Sequence, residues 1–197
     1  MTYETYETEA FVISARDVKE GNRIFNLFTN EFGLVWALAQ NVRADKSKIR
    51  YNLQVLSKTE VSLVRGREYW RVVGAKNADN LFSEFKNSQE NTKLLARFFS
   101  LLSRLVQGEG KNAYLFATLD GIIEELRSTK VPSQTLKHLE LLTVSRMLQA
   151  LGYFSEPTRY KKFFVDTRFD SKTLDDVASL ESELLADINL ALHESHL

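Results

Sequence analysis

Cysteine is missing from the 197 residues, which excludes disulfides, thiolate zinc sites and cysteine nucleophiles outright. The absence agrees with a reducing compartment without proving one. No apolar run comes near the roughly 20 residues that cross a bilayer as a helix. The opening MTYETYETEA is acidic and polar, the wrong character for the basic start and apolar stretch of a secretory signal. A cytoplasmic protein with no membrane partner is expected. Histidine is scarce: His138, His193 and His196 are all there is. His193 and His196 share an i, i+3 spacing, but a metal would need a third ligand, with only Asp187 or Glu194 as donors. No metal and no cofactor is therefore expected, and His138 reads as a residue that caps or decorates a helix. Phosphate-cradling loops of the GxxxxGK[ST] and GxGxxG types, HExxH and GxSxG are all lacking. The stretch QGEGKNA, 107 to 113, follows a helix rather than a strand and reads as an inter-helix loop. Carboxylate pairs such as Glu124-Glu125 and Asp175-Asp176 sit in charge-rich surface sequence. No set of residues forms an active site, so an enzyme is not expected.

What is present is enough apolar matter for a real core: 44% hydrophobic residues, with 13 Phe and 7 Tyr, sufficient for one large domain or two small ones. The first 80 residues read as strands: TEAFVISARDV, RIFNLFT and GLVWALAQ, then roughly Gln54 to Val64 and Tyr69 to Ala75. Lys19-Glu20-Gly21-Asn22 suits a hairpin turn, and Gly33 and Gly66 suit the turns near them. Five short antiparallel strands point to a small closed or nearly closed barrel, with a partly open sheet as the rival. The character changes near Asn77-Ala78-Asp79-Asn80. Beyond it Leu94, Leu95, Phe98, Phe99, Leu101, Leu102 and Leu105 recur at helical spacing. A second helix covers Asn112 to about Arg127, with Gly121 as an internal weak point. A third starts at Pro132-Ser133 and ends at Gly152, and a last short helix begins near Asp176 or Ser179. The expected class is α+β: an N-terminal β-barrel domain over 1–80, then an α-helical domain over 81–197.

Charge is balanced overall, 26 basic against 26 acidic side chains, yet unevenly spread. From Arg43 to Lys76 there are nine basic residues against Asp45, Glu60 and Glu68. From Lys162 to Leu197 there are three basic and eight acidic, so a positive part and a negative part cancel. A charge run is most often a wetted face. Here Arg43, Lys46, Lys48 and Arg50 lie beside the expected barrel, and Arg65, Arg67 and Arg71 share strand parity, so one sheet face could present several cations. Phosphate contacts of this kind are sequence-blind and salt-dependent. Tyr51, Tyr69 or Trp70 could stack on bases at about 1 to 3 kcal/mol each, with core burial as the alternative for Trp70.

Those residues carry a resemblance. The order from AFVISARDVKEGNRIFNLFTNEFGL through NVRADKSKIR to VSLVRGRE resembles the opening domain of the RecO family of recombination mediators, and LTVSRMLQALGY resembles that family's helix ending in a Leu-Gly-Tyr turn. The similarity covers most of Thr8 to Tyr153. It implies an N-terminal OB-fold followed by a helical domain, in a non-enzymatic, nucleoid-associated protein that binds single- and double-stranded DNA and anneals complementary strands. It also implies action with RecR, and in some settings RecF, to help RecA replace single-strand binding protein. The family's basic motif falls on Arg43, Lys46, Ser47, Lys48 and Arg50. Its docking region for the acidic tail of single-strand binding protein has its nearest equivalents at Lys137, Arg146, Leu148 and Leu151. Many members carry zinc cysteines after the Leu-Gly-Tyr turn. FSEPTRYKKFFVD stands there in this chain, so zinc is not expected and TRYKKFFV is expected to form a short hairpin or extended segment. The alternative from another class is an interaction adaptor without direct DNA binding, whose basic stretch is merely solvated and whose acidic C-terminal part faces a basic partner.

Overall fold

In the computed structural model the described residues are 4–18, 21–43, 47, 49–128, 131–154 and 157–195. Alternating apolar positions form five strands: β1 (Thr5–Val18), β2 (Asn22–Thr29), β3 (Gly33–Ala39), β4 (Ser57–Val64) and β5 (Trp70–Asn80). Every second side chain of a strand faces the same way, and the inward set forms one core from Ala10, Val12, Phe25, Leu27, Val35, Ala37, Val61, Leu63, Trp70 and Val72. Gly21 and Gly33 hold φ of +80° and +66°, the left-handed conformation that the turns on either side of β2 require. A register shift between Val12 and Ser14 bends β1, as a bulge does.

The strands follow one another in the order β1-β2-β3-β5-β4, and β4 pairs back onto β1. The expected OB-fold barrel of five antiparallel strands needs correction at one seam. Four pairings are long antiparallel ladders. Between β3 and β5 the pairing is parallel and consists of Ala37 with Trp70 and Leu38 with Arg71, so no continuous antiparallel ladder seals that side. The physical reason is connectivity: a hairpin joins only antiparallel neighbours, whereas strands lying parallel need a crossover. Here the chain leaves β3, runs through 40–56, and passes along β4 before returning as β5. The basic stretch of the sequence is the first part of that crossover.

The chain divides into two compact units, Met1–Asn112 and Ala113–Leu197. The first contains the sheet and two helices, α1 (Leu81–Phe85) and α2 (Gln89–Leu105). The Asn80 side chain accepts from Ser83 N and that of Ser88 from Asn91 N, the usual side-chain satisfaction of a helix start. Leu94, Leu95, Phe98, Phe99, Leu102 and Leu105 are buried, and Phe99 meets Phe11 of β1 edge-on at 5.8 Å.

The second unit holds α3 (Ala113–Ser128), α4 (Ser133–Ala150), a 3₁₀ segment (Pro157–Phe164), α5 (Ser171–Ser179) and α6 (Glu181–Glu194). Leu141 to Leu148 are buried without a break, as expected of a helix surrounded on all sides; α3, α5, α6 and the 3₁₀ segment all pack on α4. Gly152, at φ +78°, follows α4 as its sequence predicts. Two expectations change. TRYKKFFV is a 3₁₀ segment, not a hairpin, held by the stacked rings of Tyr160 and Phe163. The single last helix is two, because Asp170 accepts from Thr173 N and starts α5 earlier. Gly121 is no mere weak point: a Cβ there would lie 3.0 Å from Thr167 O and 3.3 Å from the Phe169 ring, so its bareness lets that segment approach α3.

Candidate nucleic-acid interface

Within the β3–β4 crossover, Arg43 and Arg50 are exposed, while Lys46 and Lys48 lie outside the described residues. Arg43 is tied at both ends: its backbone N–H donates to Gly21 O at 3.1 Å, and its Nη1 stands 3.5 Å from Asp17 Oδ2. The other Asp17 oxygen accepts from Arg23 Nε at 2.5 Å. Those two guanidiniums, Arg23 foremost, hold the Asp17 carboxyl below its ordinary value. One carboxylate shared by two cations leaves the cluster positive but partly quenched.

A second cationic surface is better formed. The β4–β5 turn and its neighbours line an open groove of about 660 Å³ whose walls are Leu38, Arg65, Arg67, Glu68, Tyr69 and Arg71. Arg67 is exposed and makes no ion pair among the described residues. Arg65 lies over the Trp70 ring at 5.4 Å and reaches Glu109 Oε2 at 3.3 Å. Register explains how Arg71 arrives: Arg16 stands opposite Ile24, Ile24 opposite Leu38, and Leu38 opposite Arg71, so one row across four strands ends in a guanidinium on each side. Arg16 Nη2 is 3.5 Å from Tyr69 Oη, and its guanidinium covers the Trp36 ring at 5.5 Å.

Arg16 and Trp36 were not singled out by the sequence, although a signal existed. Val35, Ala37 and Ala39 point inward, so Trp36 between them must point out, where it is 43% exposed. A large aromatic on the outer face of a strand, beside an arginine, is a surface to which a base can stack. Of the aromatics that were singled out, Tyr51 is exposed and Tyr69 half-buried, while Trp70 is in the core at 3%.

Among the described residues between Arg43 and Lys76, Lys58 and Lys76 are neutralised by carboxylates of β1 and β4, a pairing linear sequence hides. Lys58 Nζ is 3.0 Å from Glu9 Oε1. Lys76 Nζ lies 3.4 Å from Glu60 and 3.7 Å from Glu7; the pairing with Glu60 first, then Glu7, raises the Lys76 ammonium above its ordinary value. The positive character therefore concentrates at the crossover and the groove.

In the second unit, the residues expected to receive a protein partner separate. Lys137 is exposed and pairs with Glu181, which also meets His138 Nε2 at 3.0 Å. Leu151 is half-buried. Arg146 and Leu148 are buried at 1% and 0%. Arg146 Nε donates to Phe163 O and its Nη2 to Arg168 O, each at 2.8 Å, and its guanidinium faces the Phe169 ring at 4.8 Å. Burial lowers its pKa against the opposing pull of Tyr114, Asp166 and Asp170, yet a guanidinium stays charged. In this fold Arg146 ties the 3₁₀ segment to α4. Among the described residues no cluster of three His, Asp or Glu side chains is arranged to hold a metal, and no helix is long and apolar enough to cross a membrane.

Comparison with known proteins bears on this arrangement. Residues 1–80 match the family model described as "Recombination protein O N terminal". The chain is 28% identical over 151 residues to the DNA repair protein RecO of Dehalococcoides mccartyi strain CBDB1, covering 77% of this chain and 58% of that protein. It is 27% identical over 151 residues to RecO of Chlorobium limicola, covering 75% and 56%. With RecO of Roseiflexus sp. strain RS-1 it is 27% identical over 153 residues, covering 78% and 52%. The chain thus spans little more than half the length of these relatives. Over the sheet by the family model and on through the helices by these relatives, the chain is similar to the RecO family.

Proposed function

We propose that this chain is a DNA-binding mediator of recombination and repair, with residues 1–80 as its DNA-binding part, that brings complementary single strands together without catalysing a covalent step. The observation that carries the reading is the groove at the β4–β5 turn, where Arg67 and Arg71 stand with Tyr69 beside the outward Arg16–Trp36 pair. Cations on a solvent-facing sheet neutralise phosphates without reading sequence. Lowering the repulsion between two backbones while base edges stay free favours annealing. The exposed part of Trp36, beside Arg16, adds an aromatic on which a base of any kind can stack. The exposed crossover arginines Arg43 and Arg50 add cations to the same unit, and Lys46 and Lys48 neighbour them in the sequence.

Similarity to that family supports single-strand binding protein, RecR, RecF and RecA as partners to be tested. The burial of Arg146 and Leu148 turns attention for such contacts to Lys137 and Leu151. The groove reading is tested by oligonucleotide binding over a salt series. Replacing Arg16, Arg67 and Arg71 by glutamine should flatten the log–log slope on single strands by roughly 2, at about 0.7 per phosphate contact, and slow annealing at matched salt. An unchanged slope and annealing rate in that triple variant would remove the groove from the mechanism.

A further inference from the structure

The segment 106–112, which follows α2, returns to the sheet. Gly110 N donates to Phe32 O at 3.0 Å, Gly33 and Glu109 form an antiparallel bridge, and Lys111 Nζ reaches Glu31 at 2.8 Å. The fit at its centre is tight: a Cβ on Gly33 would stand 2.2 Å from Gly110 O. This docking delivers one carboxylate to one place. Glu109 Oε1 accepts from Trp70 Nε1 at 2.9 Å, and Glu109 Oε2 from Arg65 Nη2 at 3.3 Å. Beneath it Trp70 is fixed by Phe32 and Tyr6, at ring distances of 4.8 and 5.6 Å.

A charged fork and an indole N–H converging on a pair of oxygens is also what a phosphodiester would ask of this place. We propose that Glu109 is an internal anion that occupies the phosphate position of Arg65, so that DNA gains this contact only by displacing the carboxylate. The proposal rests on the DNA-binding reading and deepens it, because it names a residue that sets the affinity of the groove. The geometry allows displacement. Trp70 is held by the core, whereas the side chains of Arg65 and Glu109 are 70% and 44% exposed, so that ion pair is the weak link, and exposed pairs contribute little to stability. With Arg65 already neutralised, the groove presents Arg67 as its exposed cation and holds Arg65 in reserve.

The test is a double-mutant cycle read by binding of a fluorescent oligothymidylate over a salt series. Glu109→Gln keeps an acceptor for Trp70 and removes the charge. It should bind several-fold tighter, with a log–log slope steeper by about 0.7, one additional single-strand phosphate, and with an unchanged thermal midpoint. The gain should vanish when Arg65→Gln is added. A gain that survives Arg65→Gln would mean a general charge effect and would overturn the proposal, as would no gain at all. A second comparison leaves Glu109 in place and so does not depend on how that variant folds. In the natural background Arg65→Gln should lower the slope by much less than Arg67→Gln does, and equal losses would overturn the proposal. Failure of the DNA reading itself looks different: the natural chain would show no salt-sensitive binding, and Arg67→Gln would change nothing.

Discussion

Arg146 shows how much one residue's setting decides. Its type and position on an apolar helix fit equally a surface cation awaiting an acidic partner and a buried tie. Two backbone carbonyls and a ring take it inside. Replacing it with methionine removes two charge-assisted hydrogen bonds and leaves Phe163 O and Arg168 O short of donors, so Arg146→Met should cost about 3 kcal/mol in urea unfolding. A loss below about 1 kcal/mol would show that the carbonyls find other donors. Tyr160 makes the opposite end of the pH scale informative. It is buried and donates to Asp187 at 2.6 Å, and burial followed by that hydrogen bond pushes its pKa up to about 12. A phenol whose pKa rises on folding from 10 contributes stability that is complete below pH 10 and is lost as pH climbs toward 12. Urea midpoints measured from pH 9 to 12 should therefore fall in the natural protein and fall less in Tyr160→Phe. At the acid end the signs reverse. Asp17, Asp166 and Asp170 are all held below their ordinary 3.8 by their hydrogen bonds, so their contributions are present above that value and disappear as pH drops beneath it.

At the scale of elements, the segment 106–112 and the crossover 40–56 matter most, because each reaches a place its flanking elements do not predict. The stretch 107 to 113 reads in sequence as a plain connection between helices, since its glycines and lysine follow a helix and match no phosphate loop. The bridge from Glu109 to Gly33 joins residues far apart in sequence and leaves no periodic signal. Gly33→Ala is the matching test. It combines φ of +66° with a Cβ 2.2 Å from Gly110 O, so it should cost about 1–3 kcal/mol and loosen the segment from the sheet. The emission of buried Trp70 should shift to the red as Glu109 withdraws; an unshifted spectrum would mean that the segment is held elsewhere. In α2 the helical spacing identified Leu94, Leu95, Phe98, Phe99, Leu102 and Leu105 of the buried face, with Leu101 half-buried at its edge and buried Asn91 outside the pattern, because i, i+3, i+4 recurrence follows from 3.6 residues per turn alone. Leu102→Ala, at a fully buried position, should cost 2–5 kcal/mol, measured by chemical unfolding.

For the whole molecule, the cancellation of 26 positive by 26 negative side chains conceals where the field is. Cross-strand neighbours consume Lys58 and Lys76, and Asp17 tempers Arg43, while Arg67 is exposed in the groove that Arg71 also lines. Removing Arg43 and Arg50 together should thus lower DNA affinity less than removing Arg67 and Arg71 together, at any one salt concentration. A binding series at about 0.15 M salt ranks the two pairs, and the reverse order would return the main track to the crossover.

The strands, the apolar face of α2, the glycine ends of β2 and α4 and the uneven spread of charge were determined by sequence alone. Each depends on residues a few positions apart, where backbone geometry dictates the pattern. Tertiary structure decided the parallel seam of β3 with β5, the row that joins Arg16 to Arg71, the outward Trp36 beside it, the inward Arg146 and the place of Glu109. Each of these is a pairing between segments tens of residues apart, and no local periodicity encodes which distant carboxylate will meet a given guanidinium once the chain has closed on itself.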